Sequence, residues 1–262
     1  MPLATEILLT ESRTMSPLPK FPRGTASNRQ RGFSLVELSV VLIVIGLVLG
    51  AVAIGRDLQR SAANQRLSTD FIQGWQLAYE AFVNGVGYPP GDNPTDPTGR
   101  INGNSADPNT KLCGPDMINA FLAAGIRLPS GRTEGQQDRY VYLDSNGNPQ
   151  EVQVCFRSVD WAEPGATVNS YVTRRRNVME IQRVTYSLAG ALDQQIDGHS
   201  DARFGRLRQE GLANDVSPPA TPGVPHGKPW PIDDRMAFGS TTVTSLDESQ
   251  VAVTTAFFKM MR

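Results

Sequence analysis

Histidine is almost missing from this chain of 262 residues: His199 and His226 are the two, in polar or Pro/Gly-rich segments and outside any metal-spaced cluster. No G-x-S-x-G, Walker loop or H-E-x-x-H occurs, and the carboxylates cannot be paired from sequence, so no enzyme is suggested. Long runs of lysine or arginine are lacking and the formal net charge is −1, which argues against a nucleic-acid reader. The two cysteines, Cys113 and Cys155, have no C-x-x-C spacing, which speaks against a redox-active pair. Proline is absent from Phe33 through Gly87, although the chain holds 19 of them.

That proline-free stretch opens with an apolar run, Phe33 to Gly55, in which Glu37 is the only charge. As a helix rising about 1.5 Å per residue it is long enough to cross a hydrocarbon core of roughly 30 Å. The side before it holds Lys20, Arg23, Arg29 and Arg31 and, from Met15 onward, no acidic residue. The positive-inside rule then puts the residues before Phe33 in the cytoplasm and the bulk of the chain outside. Residues 1–32 read as a targeting segment, because Pro17, Pro19 and Pro22 forbid a stable helix and nothing there is periodic; either Met1 or Met15 can serve as the start. In the outer compartment an even cysteine count reads as one disulfide. A Cys113–Cys155 bridge closes a loop of about 40 residues, worth roughly 3–4 kcal/mol by loss of chain entropy in the unfolded state.

Glu37 needs a reason, since an unpaired carboxylate in a membrane segment costs roughly 2.5–3.5 kcal/mol even on lenient scales. An ordinary signal peptide, cut after Ala51-Val52-Ala53 to begin the chain at Ile54, leaves it unexplained. The run Arg31-Gly32-Phe33-Ser34-Leu35-Val36-Glu37-Leu38 resembles the processing site of type IV prepilins and type II secretion pseudopilins. The resemblance implies a cut between Gly32 and Phe33 by a prepilin peptidase that also methylates the new amine of Phe33. It implies as well that Glu37 pairs, in the apolar interior, with the Phe33 amine of a neighbouring subunit. A paired carboxylate is tolerable there, and the pairing sets the axial register of a filament.

Past Arg56 the apolar period persists: Leu67, Phe71, Trp75, Ala78 and Phe82 recur at steps of three and four, predicting one helix of about 50 residues that stops near Gly85 and Gly87. Gly46, Gly50 and Gly55 weaken its apolar half and permit close helix approach, or are ordinary membrane-helix glycines. The resemblance implies an α+β, type IV pilin-like fold. In it a removed leader (1–32) precedes a transmembrane and assembly half of helix one (33–55), and an amphipathic half (56–85) packs on a small antiparallel-sheet domain (86–262).

Within that domain, residues 86–111 read as an irregular loop and Asp116 to Ala124 as a short helix. Arg139 to Leu143 and Glu151 to Phe156 read as a hairpin about Asn146-Gly147, Val178 to Val184 as a third strand, and Leu188 to Ile196 as a helix. Residues 213–231 read as a surface loop and Val251 to Phe258 as a final strand inside the sheet. Asp144, Asn146 and Asn148 have calcium-loop spacing, but Pro149 and Cys155 stand where such a loop needs glycine and glutamate, so a turn is favoured. Asp193, Asp197 and Asp201 recur every four residues and are a second calcium candidate, because secretion pseudopilins can bind calcium with late-chain carboxylates; a solvated helix end is favoured. Ala191 to Gly198, Gly205 to Arg208 and Ala123 to Gly125 also resemble segments of bacterial pilin-like proteins. Tyr140, Tyr142, Trp161, Tyr171 and Trp230 are either a binding surface or core, with core favoured. Arg174-Arg175-Arg176 reads as a solvated loop before an acidic or nucleic-acid contact.

The expectation is therefore a structural, non-enzymatic subunit that polymerises through its amino-terminal helix into a type IV pilus or a pseudopilus. Its expected place is the bacterial inner membrane, single-pass with the globular part extracytoplasmic, and then the filament. Its partners are the peptidase, other pilin or pseudopilin subunits, an inner-membrane assembly platform and membrane lipid; no cofactor is expected beyond the calcium candidates. Removal of 32 residues from 262 leaves a mature chain of 230, favouring a minor or specialised subunit. The competing reading is a secreted or membrane-anchored binding protein or enzyme whose start is signal-like by coincidence.

Overall fold

A computed structural model describes residues 32–103, 107, 110–218, 227–231, 234 and 251–261. Residues 1–31 and His226 lie outside the described residues. The chain divides into two compact units, Met1–Ala51 and Val52–Arg262.

Helix α1 spans Leu35–Arg66 and, with the turns that follow, belongs to a helical stretch of 52 residues ending at Val86. This is the one helix among the described residues long and apolar enough to cross a membrane. Its apolar side chains from Leu35 to Ile54, including Leu42, Leu47 and Leu49, are exposed.

The stretch is not α-helical throughout: Leu67–Ile72 forms a π-helical segment before α2 (Gln73–Val86) resumes the ordinary pitch. Leu67, Ser68, Phe71 and Ile72 of this segment are buried, with the wider turn placing the two pairs four residues apart on one side. From α2 onward the expected stripe holds: Trp75, Ala78 and Phe82 are buried and joined by Tyr79 and Val83. Gly85 stays inside the helix; Gly87, at φ 93°, is the left-handed cap.

Among the described residues five strands form one antiparallel sheet in the order β1-β2-β3-β5-β4. They are β1 (Arg139–Leu143), β2 (Pro149–Pro164), β3 (Tyr171–Thr185), β4 (Leu207–Gln209) and β5 (Val253–Lys259). The last strand lies inside the sheet, as its apolar run implied. Strands β2 and β3 are far longer than their apolar runs, because mutual pairing from Gln153↔Gln182 to Pro164↔Tyr171 carries the ladder through polar sequence. Helix α3 (Gly114–Ala123) and helix α4 (Tyr186–Asp197) each differ from expectation by one or two residues at their ends. Strand β3 bulges between Ile181 and Val184, where Arg183 takes φ 60°. The Tyr142 hydroxyl spans that bulge, donating to the Arg183 carbonyl and accepting from the Thr185 N–H, both at 3.0 Å.

The main core sits between the helices and one face of the sheet. Trp75 meets Phe121 edge-on at 5.6 Å, Tyr79 stacks on Phe156 at 5.2 Å, and Phe121 stacks on Phe156 at 5.6 Å. The Trp75 indole N–H donates to the Gln137 carbonyl at 3.0 Å. Gly74 lets this face approach the 126–129 segment, since a Cβ there would lie 2.7 Å from the Pro129 Cβ. Cys113 and Cys155 are joined, tying the start of α3 to β2 beside the Leu112↔Phe156 bridge. A smaller cluster of Val159, Trp161, Val178, Ala213 and Phe257 forms separately, with the Arg208 guanidinium 4.2 Å over the Trp161 ring.

Trp75→Ala removes a fully buried indole and is expected to cost about 3–5 kcal/mol of stability. Leu77→Ala, on the exposed side of the same helix, should change it by about 0.5 kcal/mol or less. Chemical unfolding of the two variants beside the parent checks the contrast.

Candidate functional site

Gly32 to Ser34 lie ahead of the helix and are exposed, and α1 begins at Leu35. Ser34 acts as the N-cap: its hydroxyl accepts from the Val36 N–H at 3.3 Å, and its carbonyl takes the first helical bond, from Leu38 N–H, at 3.1 Å. The Glu37 carboxylate reaches back to accept the Ser34 N–H at 3.4 Å. Ser34-Leu35-Val36-Glu37 is thus a variant of the capping box: Glu37 takes the Ser34 N–H, and the serine hydroxyl takes a first-turn N–H, here that of Val36 rather than of Glu37 itself. The S-x-x-E pattern was legible in the sequence and was overlooked. A carboxylate in the first turn also lies at the positive end of the helix dipole, so Glu37 has a local use besides any pairing with a neighbour. Among the described residues, nothing comes within 4 Å of a Cβ built on Gly46, Gly50 or Gly55, so no contact inside the chain calls for glycine there.

The other candidate residues are bound up in loop architecture. Asp144 organises the β1–β2 turn: its Oδ1 accepts from the Asn146 and Asn148 N–H groups, both at 2.9 Å, with Gly147 at φ 85°. Asp193, Asp197 and Asp201 do not form the solvated helix end that was favoured. Asp193 Oδ2 accepts the Trp230 indole N–H at 2.8 Å and the Asp201 N–H at 2.6 Å. Asp197 Oδ2 accepts from the Arg206 and Leu207 N–H groups, and Asp201 Oδ1 from those of Arg203, Phe204 and Lys228. Three carboxylates thereby hold a segment that has little ladder of its own. Among the described residues no group of three His, Cys, Asp or Glu side chains converges to hold a metal.

Arg174, Arg175 and Arg176 lie in β3 rather than in a loop, because β2 pairs with this polar stretch. Arg176 forms a two-pronged bond to Glu163, each arm at 2.7 Å, and Arg175 meets Asp160 at 3.2 Å. The Arg176 bond, outweighing partial burial and aided by Lys259, holds the Glu163 carboxyl down at about 2. Tyr142, Trp161 and Trp230 are buried and Tyr140 packs on Phe71, so these four aromatics are structural; Tyr171 is half-buried beside Phe204. His199 is exposed.

A long, mostly apolar amino-terminal helix followed by a small antiparallel sheet is a pilin-like α+β arrangement. Residues 27–53 match the prokaryotic N-terminal methylation motif, and the chain therefore carries the signature of type IV prepilins and pseudopilins. The matched residues contain Gly32, Phe33 and Glu37. No curated protein and no solved structure matches the chain. The signature indicates a processed, pilin-type structural protein that a prepilin peptidase matures and that assembles with other pilin subunits. The apolar helix fits membrane anchoring.

Burial pushes the Asp193 carboxyl up to about 7, against the Trp230 and Asp201 donors and with help from neighbouring Asp197. An acid whose pKa folding raises is most favourable to the folded state below its unfolded value, near 3.9, and loses that contribution as pH climbs through the folded one. The melting temperature should accordingly decline between pH 5 and pH 8. Asp193→Asn keeps an oxygen for Trp230 and Asp201 and carries no charge, so its melting temperature should decline less over that range. Thermal unfolding of both proteins at the two pH values tests this; equal declines would remove Asp193 as the cause.

Proposed function

We propose that the chain is a structural subunit, a minor or specialised one, that is cut between Gly32 and Phe33, methylated on Phe33, and polymerised through its amino-terminal helix into a type IV pilus or pseudopilus. The observation that carries this reading is the methylation motif set on a helix whose apolar side chains, from Leu35 to Ile54, are exposed among the described residues. Such a surface calls for lipid or for helices of its own kind, and moving from one to the other is filament assembly. The open sides of Gly46, Gly50 and Gly55 leave room for neighbouring helices to approach. After processing, Phe33 carries the terminal amine, and the Glu37 carboxylate partners that charge on an adjacent subunit, which fixes the axial step. The globular part then lies outside the inner membrane, where a Cys113–Cys155 bridge persists.

The intact mass of the protein, taken from sheared surface material and from membranes of its native cells, tests the reading. A methylated chain beginning at Phe33 in the sheared fraction identifies a pilus subunit; the same mass confined to membranes identifies a pseudopilin or scarce subunit. A chain that begins at Ile54, or keeps its leader, overturns the proposal.

The capping box allows the two uses of Glu37 to be separated. Glutamine can cap a helix but cannot pair as an ion, whereas alanine does neither and loses about 1 kcal/mol of cap. Glu37→Gln and Glu37→Ala should both be processed and both fail to enter filaments. Incorporation of the Gln variant at the parent level would reduce Glu37 to a cap.

A further inference from the structure

Strand β5 pairs with β3 only as far as Val178, and the chain then leaves the ladder through the Met260 N–H bond to the Asn177 carbonyl. At that point, where β3 continues without a described neighbour on its β5 side, a cavity of about 660 Å³ opens. Among the described residues five cationic side chains line it, Arg100, Arg175, Arg176, Arg206 and Lys259, against one carboxylate, Glu163. In a chain of formal net charge −1 such a gathering is local. It comes from three separate places, the 98–100 loop, the middle of β3 and the paired segments at Arg206 and Lys259.

Among the described residues not all of that charge is compensated. Glu163 engages Arg176 through both its oxygens and lies 3.5 Å from Lys259, while Arg175 meets Asp160. The guanidinium groups of Arg100 and Arg206 have no carboxylate partner among the described residues. Arg206 Nη2 is moreover buried without a hydrogen bond, and the group rests 4.8 Å over the Phe258 ring. Its main chain is fixed on both sides, the N–H donating to Asp197 Oδ2 at 2.7 Å and the carbonyl accepting from Lys259 N–H at 2.8 Å. Arg100 stands between two pinned residues, Gly99, whose N–H donates to Asp92, and Ile101, whose N–H donates to Ser158 and Asn177. A site with this much unspent positive charge on a fixed frame is built for an anion.

We infer that this cavity binds a phosphate group carried on a small polar molecule of about glycerol or sugar size. A lone carboxylate would be satisfied by one arginine fork. Cations from separate walls suit a group with three outer oxygens and up to two negative charges. The volume falls within the roughly 300–1,000 Å³ of small-ligand pockets and exceeds the needs of a bare ion. The same chemistry is offered by a free phosphate ester and by the headgroup of an anionic phospholipid.

The test uses the full chain purified in a phosphate-free maltoside detergent at low salt, with glycerol phosphate as the probe in calorimetric titration. One saturable site is expected, weakened at least tenfold by Arg206→Gln and by Arg100→Gln and weakened again by added salt. In a second arm, phosphatidylglycerol or phosphatidylcholine is added to the micelles. Preferential binding of phosphatidylglycerol, reversed by glycerol phosphate, identifies a headgroup site, and equal behaviour of the two lipids alongside probe binding identifies a site for free esters. If Arg206→Gln does not fold, the exposed Arg100→Gln carries the test, with Arg206→Lys expected to retain binding. Absence of saturable binding to the folded parent, or binding that both substitutions leave unchanged, overturns the inference.

Discussion

The packing around Phe156 is the contact on which the rest of the globular part depends. Its ring stacks with Tyr79 of α2 and Phe121 of α3 and lies edge-on to Trp75. Its main chain pairs with Leu112 at the end of the long loop, and the neighbouring Cys155 is joined to Cys113. One residue of β2 thereby gathers two helices, a loop and the sheet. Aromatic rings supply this because each buries a large apolar area while their edges and faces still prefer defined orientations.

Around that core a second device recurs, a carboxylate used as an acceptor for main-chain N–H groups in segments that lack a ladder. Asp92 takes the Asn93, Thr98 and Gly99 N–H groups, and Asp144 holds the hairpin turn. Asp197 and Asp201 do the same for the stretch after α4. A buried donor left unpaired costs about 1–3 kcal/mol, so these aspartates set loop conformation as firmly as hydrophobic contacts set the core. The cavity beside Arg206 inherits its geometry from this arrangement, since Asp92 shapes the loop bearing Arg100 and Asp197 holds Arg206.

The amino-terminal segment obeys a different constraint. Its leucines, isoleucines and valines are exposed among the described residues, and an apolar surface of that extent calls for cover from its surroundings. Glu37 serves the helix that carries it by closing the capping box with Ser34. A carboxylate with a local hydrogen bond and a helix dipole beside it is held in a defined place before any partner arrives.

Features set by short-range chemistry were legible in the residues themselves. The helix and its buried stripe follow from a period of three and four; the turn at Asn146-Gly147 and the cap at Gly87 follow from backbone preferences; the methylation motif is a contiguous string. The S-x-x-E box is equally a pattern of adjacent residues and needs no distant partner. The π-helical segment, the length of β2 and β3, the placement of Arg174 to Arg176 in a strand, and the hydrogen-bonding roles of Asp193, Asp197 and Asp201 were not legible. Each depends on a partner far along the chain: β2 against β3, Glu163 against Arg176, Trp230 against Asp193. By itself the sequence determined the helices, the hairpin turn and the amino-terminal signature, because those rest on neighbours within a few residues. Tertiary structure alone decided which polar groups meet, because desolvation and ion pairing act between residues that only folding brings together.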